Sequence, residues 1–330
     1  MKKGLAKFDY YLTNLQALLD KASSQKNAAL WLYKNDARTP LFMLEGLAKM
    51  YSRLHNKKKF SKIKAYFKLL EDALGAIDYY DNIGKHLRGN KKIPAAIISY
   101  LQAQTREKTQ RLNELLIADG WLIKENNRIQ KIRKKLAGAD WLKEESEVTA
   151  INEIYGEAIY EIVEFVQAEG SVFKNIEADV HELRRKLRWL SIYPQALRGC
   201  IQLSAGRALP KSLTKYLTKE ITHSAFNKMP DAGDATIFLL LEQNYFYALS
   251  WMIAELGKIK DNGLHVIAVK EALQQNTELT DDAAFKKSYQ LLGKKQTAID
   301  QLLADATAIC KQFFQEQNLE HLVLGIKKAE

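Results

Sequence analysis

Apolar residues recur at helical spacing along nearly the whole chain, and no other feature limits the fold as strongly. Side chains three and four positions apart share a helix face, so this period predicts amphipathic helices packed through their apolar stripes. Only short segments such as residues 265–269 pass for strand. The prolines fit the helical reading. Pro40, Pro94 and Pro210 each precede an amphipathic run, where a proline at the first helical position loses no intrahelical hydrogen bond. Pro194 lies inside a run and is expected to kink or end that helix. Asp234 is a candidate N-cap for a helix over 236–241. The most apolar stretch, 235–256, is interrupted by Glu242, Gln243 and Asn244, which predicts a buried core helix in place of a membrane span. The expected class is all-α.

A chain of 330 residues is about twice a common domain, so it predicts two domains or one domain of two similar halves. With 47% hydrophobic and 27% charged residues it has the balance of a folded protein. The halves echo each other in charge. Between Glu45 and Glu71 no acid occurs, while Lys49, Arg53, Lys57, Lys58, Lys59, Lys62, Lys64 and Lys68 follow one another. Between Glu182 and Glu220 the same holds, with Arg184, Arg185, Lys186, Arg188, Arg198, Arg207, Lys211, Lys215 and Lys219. Each half also carries a similar phrase, Leu74-Gly75-Ala76-Ile77 and Leu256-Gly257-Lys258-Ile259, followed by Asp and Asn. A boundary falls within 136–147, where Gly138 and a switch from basic to acidic composition break the pattern. The expected architecture is therefore two pseudo-repeated antiparallel helical bundles of the four-helix type, 1–140 and 141–330.

A formal charge of +11 favours anionic partners. The sharpest concentration is the run from Val180 to Gly199. At about 100° per residue, His181, Arg184, Arg185 and Arg188 fall on one stripe, opposite Leu183, Leu187 and Leu190. Arginine donates two parallel hydrogen bonds to phosphate oxygens, and a protonated histidine at the edge adds another donor, strengthening binding below about pH 6.5. Lys211, Lys215 and Lys219, spaced by four, predict a basic ridge on a second helix. Arg198 and Arg207 extend the track.

His-x-Leu-Arg followed by a further basic residue and an aromatic, here His181, Leu183, Arg184, Arg188 and Trp189, resembles the signature of the CHAD family, the conserved-histidine α-helical domains. The two Leu-Gly-x-Ile phrases look like that family's second landmark, which recurs once per half. The resemblance implies two related helical bundles around a basic groove that binds inorganic polyphosphate, without catalysis; no cofactor or metal is expected. It carries His181, Arg184 and Arg188 over as ligands. In the first half the pattern would place histidine and arginines near Arg38, where the chain reads Arg-Thr-Pro-Leu-Phe-Met-Leu-Glu, leaving Arg38, Lys49 and Arg53 as candidate cations, with Lys57 added on charge alone. In the second half Ser191 stands where another arginine is expected.

Nucleic acid is the nearest rival, since phosphate contacts dominate its affinity and Trp189, Tyr193 and Tyr216 lie in the basic segment as candidate stacking platforms. A helical protein-interaction scaffold is the third reading. An enzyme reading would rest on a metal held by Glu220 and His223, or by Glu177 and His181, but a carboxylate-bridged site needs a second copy, and arginines repel a dication. Cys200 and Cys310 are read as buried free thiols. The amphipathic N-terminal stretch lacks a signal-peptide apolar core, which predicts a cytoplasmic protein.

Overall fold

The computed structural model describes residues 3–125, 127–168, 172–204 and 210–328. Its helices are α1 (Lys3–Ser23), α2 (Ala28–Lys34), α3 (Arg38–Leu54), α4 (Lys57–Leu87), α5 (Ala95–Ala118), α6 (Arg128–Ala137), α7 (Glu144–Ala168), α8 (Glu182–Ala196), α9 (Lys219–Thr222), α10 (Gln243–Asn276), α11 (Asp281–Leu292) and α12 (Ile299–Gln315). A π-helical turn, Ile176–His181, runs into α8. Strands β1 (Ile201–Leu203), β2 (Ile237–Leu241) and β3 (Val323–Lys328) form one small sheet in that order, β1 parallel to β2 and β3 antiparallel to it. The fold is all-α with this sheet set into it. No helix among the described residues is long and apolar enough to cross a membrane.

The helix starts follow local chemistry. Asn27, Asn56, Asn127 and Thr280 each accept a hydrogen bond from a backbone amide of the first turn that follows, and Gln130 completes a capping box with Asn127. Each such cap stabilises its helix by about 1 kcal/mol.

The chain forms two compact units, each discontinuous in sequence. The first comprises Met1–Lys49, Asn56–Trp141 and Leu264–Thr297; the second comprises Met50–His55, Leu142–Gly263 and Ala298–Glu330. The C-terminal part of α10, from Leu264, and all of α11 thus belong with the N-terminal segment. In the first unit a core of Ile83, Leu87, Ile97, Leu101, Ala268 and Val269 joins α4, α5 and α10. Glu271 of α10 strengthens this junction by accepting hydrogen bonds from Tyr80 at 3.0 Å and Tyr100 at 2.6 Å. In the second unit α7 packs on α8 and on β2 and β3, and the buried Tyr155 hydroxyl donates to the Leu190 carbonyl at 2.8 Å. Cys200 and Cys310 are buried in this unit and are not joined in a disulfide.

Three local expectations need correction. The apolar stretch 235–256 is not one helix: Ile237–Leu241 is β2, with Ile237, Leu239 and Leu241 buried in alternation, and α10 begins at Gln243. Glu242 makes the junction, its carboxylate accepting from the Tyr245 amide at 2.9 Å while its own amide donates to Leu322. Asp234 accordingly precedes a strand and caps no helix. Residues 265–269, β-branched enough to pass for strand, lie within α10, where Leu264, Ala268, Val269 and Ala272 form one buried face. Pro194 does sit near a helix end, two residues before α8 stops at Ala196.

Candidate anion-binding site

The basic helix is fixed firmly at its start. Asn175 accepts hydrogen bonds from the amides of Glu177 and Ala178, and the Asp179 carboxylate accepts from the amides of Lys174 and Asn175 at 2.7 and 2.8 Å. Capped at its start by these reciprocal bonds, the π turn ends at His181, the N-cap of α8. Wide i to i+5 turns of this kind are rare and concentrate at functional sites.

Leu183, Leu187 and Leu190 are buried as expected. The stripe opposite them is divided. On the helical wheel Arg184 lies only about 60° from Leu187, and it leans into the unit in place of facing solvent. Its Nε donates to the Ile253 carbonyl of α10 at 3.1 Å. Its guanidinium lies against Gly257, where a Cβ would come within 3.0 Å of Nε and 3.4 Å of Nη2. Only glycine leaves that space. Burial pulls the Arg184 guanidinium below its ordinary value, with Asp261 acting in the opposite direction. Among the described residues no carboxylate lies within ion-pair distance of it. An arginine does not deprotonate in proteins, so the result is a half-buried cation whose two terminal nitrogens have no carboxylate partner.

Its neighbours are mixed in charge. His181 Nδ1 lies 2.8 Å from Glu177 Oε2, and this hydrogen bond holds the Glu177 carboxyl below its usual range. Lys260 of α10, only 17% exposed, pairs with the exposed Asp261 at 2.7 Å and lowers the Glu177 carboxyl further. Arg185 is exposed and bonds Glu182, at 2.8 Å from Nε and 2.7 Å from Nη2, and Lys186 Nζ stands 4.0 Å from the same carboxylate. The expectation of cations with nothing to offset them therefore fails for Arg185 and His181: the acids lie just upstream, one helical turn away. Arg188 is half-buried.

The basic residues after α8 do not form one helical ridge. Lys211–Tyr216 is a 3₁₀ turn, and α9 begins separately at Lys219, so spacing by four no longer aligns Lys211, Lys215 and Lys219. Lys215 pairs with Glu316, while Lys211 and Lys219 are exposed. Arg198 is exposed in the turn after α8, in a left-handed conformation, and Arg207 lies outside the described residues. In the N-terminal segment Arg38 bonds Glu71 and Asp78, Arg53 pairs with Glu157 and Glu161 of α7, Lys49 is half-buried, and Lys57 is exposed at the start of α4.

Tyr193 and Tyr216, offered as stacking platforms, are 3% and 1% exposed and face the core. His223 turns its Nδ1 to the Lys219 carbonyl of its own short helix, 2.9 Å away.

Comparison with known proteins returns no matching family model, no matching curated protein and no matching solved structure. The site therefore stands on its own geometry. Sequence reasoning missed two parts of it, Lys260 and the Ile253 carbonyl. The signal for both was present: they stand three positions after and four before Gly257, on the helix face that the glycine opens.

Proposed function

We propose that the face of α8 carrying Arg184 binds inorganic polyphosphate, or a linear polyanion of the same phosphate chemistry, without catalysing its turnover. One observation carries the reading: a half-buried guanidinium is positioned by a glycine contact and a carbonyl, yet no carboxylate among the described residues forms an ion pair with it. Phosphate oxygens supply what such a group lacks, through charge-assisted bonds about twice as strong as neutral ones. Arg188 on α8, Lys260 on α10 and His181 at the N-cap of α8 are the basic groups through which the contact would extend to successive phosphates. The resemblance of His181, Leu183, Arg184, Arg188 and Trp189 to the CHAD signature points to the same ligand. Nucleic acid shares the phosphates, but two of the three aromatics that would stack on its bases are buried.

The test is a competition titration, with long-chain polyphosphate against single-stranded DNA and RNA at matched phosphate concentration. Polyphosphate is expected to displace both at least tenfold more effectively. Equal displacement would transfer the site to nucleic acid, and no binding by any of the three would remove the anion reading.

A further inference from the structure

The first unit holds a second guanidinium seated on a helix glycine. Arg38, at the start of α3, lies over Gly75 of α4, where a Cβ would stand 3.2 Å from Nη2 and 3.6 Å from Cζ. Arg184 over Gly257 repeats this contact between α8 and α10 in the second unit. The two glycines are the second residues of the two Leu-Gly-x-Ile phrases.

What surrounds the guanidinium differs. Four residues before Gly75 stands Glu71, which accepts from Arg38 Nε at 3.0 Å and also from Nη2; three residues after it stands Asp78, which accepts from Nη1 at 3.0 Å. All three nitrogens of Arg38 are thus satisfied from within the chain, and Glu71 is only 10% exposed. The corresponding positions around Gly257 are Ile253, which offers only its carbonyl, and Lys260, a cation. One guanidinium therefore bonds two carboxylates, whereas the other bonds none among the described residues, with Asp261, the partner of Lys260, acting on it only from beyond ion-pair distance.

We infer that the residues four before and three after the seated glycine decide what the arginine does: Glu71 and Asp78 close the Arg38 seat as an internal clasp, whereas Ile253 and Lys260 leave the Arg184 seat open to a phosphate anion. This deepens the polyphosphate reading and rests on it for the identity of the anion. The chain then has one phosphate seat of this kind, and Arg38 holds α3 to α4. In the closed seat an incoming phosphate would have to displace two carboxylates already bonded to the cation and would be repelled by both.

The experiment is isothermal titration with tripolyphosphate on wild type, on Arg38→Ala, and on the double variant Glu71→Ile with Asp78→Lys, which copies the α10 residues into α4. The wild type is expected to bind one tripolyphosphate per chain and the double variant two. Arg38→Ala is expected to keep the wild-type stoichiometry and affinity within twofold while melting several degrees lower. A folded double variant that still binds one would overturn the inference, and so would loss of the wild-type site in Arg38→Ala. Should the double variant fail to fold, the Arg38→Ala result decides alone. If wild type binds nothing and the double variant binds one, the polyphosphate reading fails while the closed seat stands; if neither binds, both fail.

Discussion

A cation drawn half out of water without a carboxylate is an expensive group to keep, and Arg184 is such a group. Its guanidinium packs on Gly257, so truncation to alanine would mix lost packing with lost charge. Arg184→Lys separates them: the charge stays, the fork goes, and polyphosphate affinity is expected to fall at least tenfold, about 1.4 kcal/mol. Unchanged affinity would show that the site needs only positive charge. Glu45 makes a second prediction at this scale. It is 5% exposed on α3, and burial raises its carboxyl to about 7, with Lys68 opposing and Glu71 and Asp72 adding to the shift. A folded value above the unfolded one, 4.5, means that the native state favours the protonated acid. That contribution to stability is fully present below pH 4.5 and is lost as the pH rises through about 7. At about 1.4 kcal/mol per pH unit the loss amounts to about 3 kcal/mol. Glu45→Gln is therefore expected to melt near wild type at pH 5 and several degrees above it at pH 8. An equal shift at both pH values would contradict this.

At the scale of elements, the glycine seats predict opposite outcomes for one kind of substitution. Gly257→Ala places a Cβ 3.0 Å from Arg184 Nε and must displace the guanidinium. Alanine also gains about 1 kcal/mol of helix propensity, so the melting temperature is expected to change little while anion binding weakens several-fold. Gly75→Ala crowds Arg38 instead, and is expected to lower the melting temperature and leave anion binding as it was. Thermal melts and titrations on the same two variants check both. Much of the element pattern was legible in the sequence, because helical periodicity is local, but the capping was not: Asp234, the one N-cap read there, precedes a strand, while Asn27, Asn56 and Thr280 do the capping. The strand hidden in 235–256 was not legible either, since five consecutive apolar residues read alike as strand or helix, and the pairing of β2 with β1 and β3 decides. The stripe on α8 was legible as a set of residues and misread as a surface. Which edge of it turns inward depends on Gly257 and Ile253, more than sixty residues away in the sequence.

For the whole molecule, a formal charge of +11 attracts polyanions from a distance but selects none of them. Many of the cations behind that charge are neutralised locally, as Arg38, Arg53, Arg185 and Lys215 are, so the net charge overstates the binding surface. Affinity carried by long-range attraction alone should disappear as salt rises and depend little on any single arginine. Affinity carried by a seated guanidinium should survive in part and depend on that residue. The deciding measurement is a polyphosphate titration of wild type, Arg184→Lys and Arg185→Lys at low and at physiological salt. Wild type and Arg185→Lys are expected to bind alike at both, and Arg184→Lys to fall at least tenfold below them at physiological salt. Three indistinguishable curves, collapsing together as salt is added, would contradict a site built on Arg184.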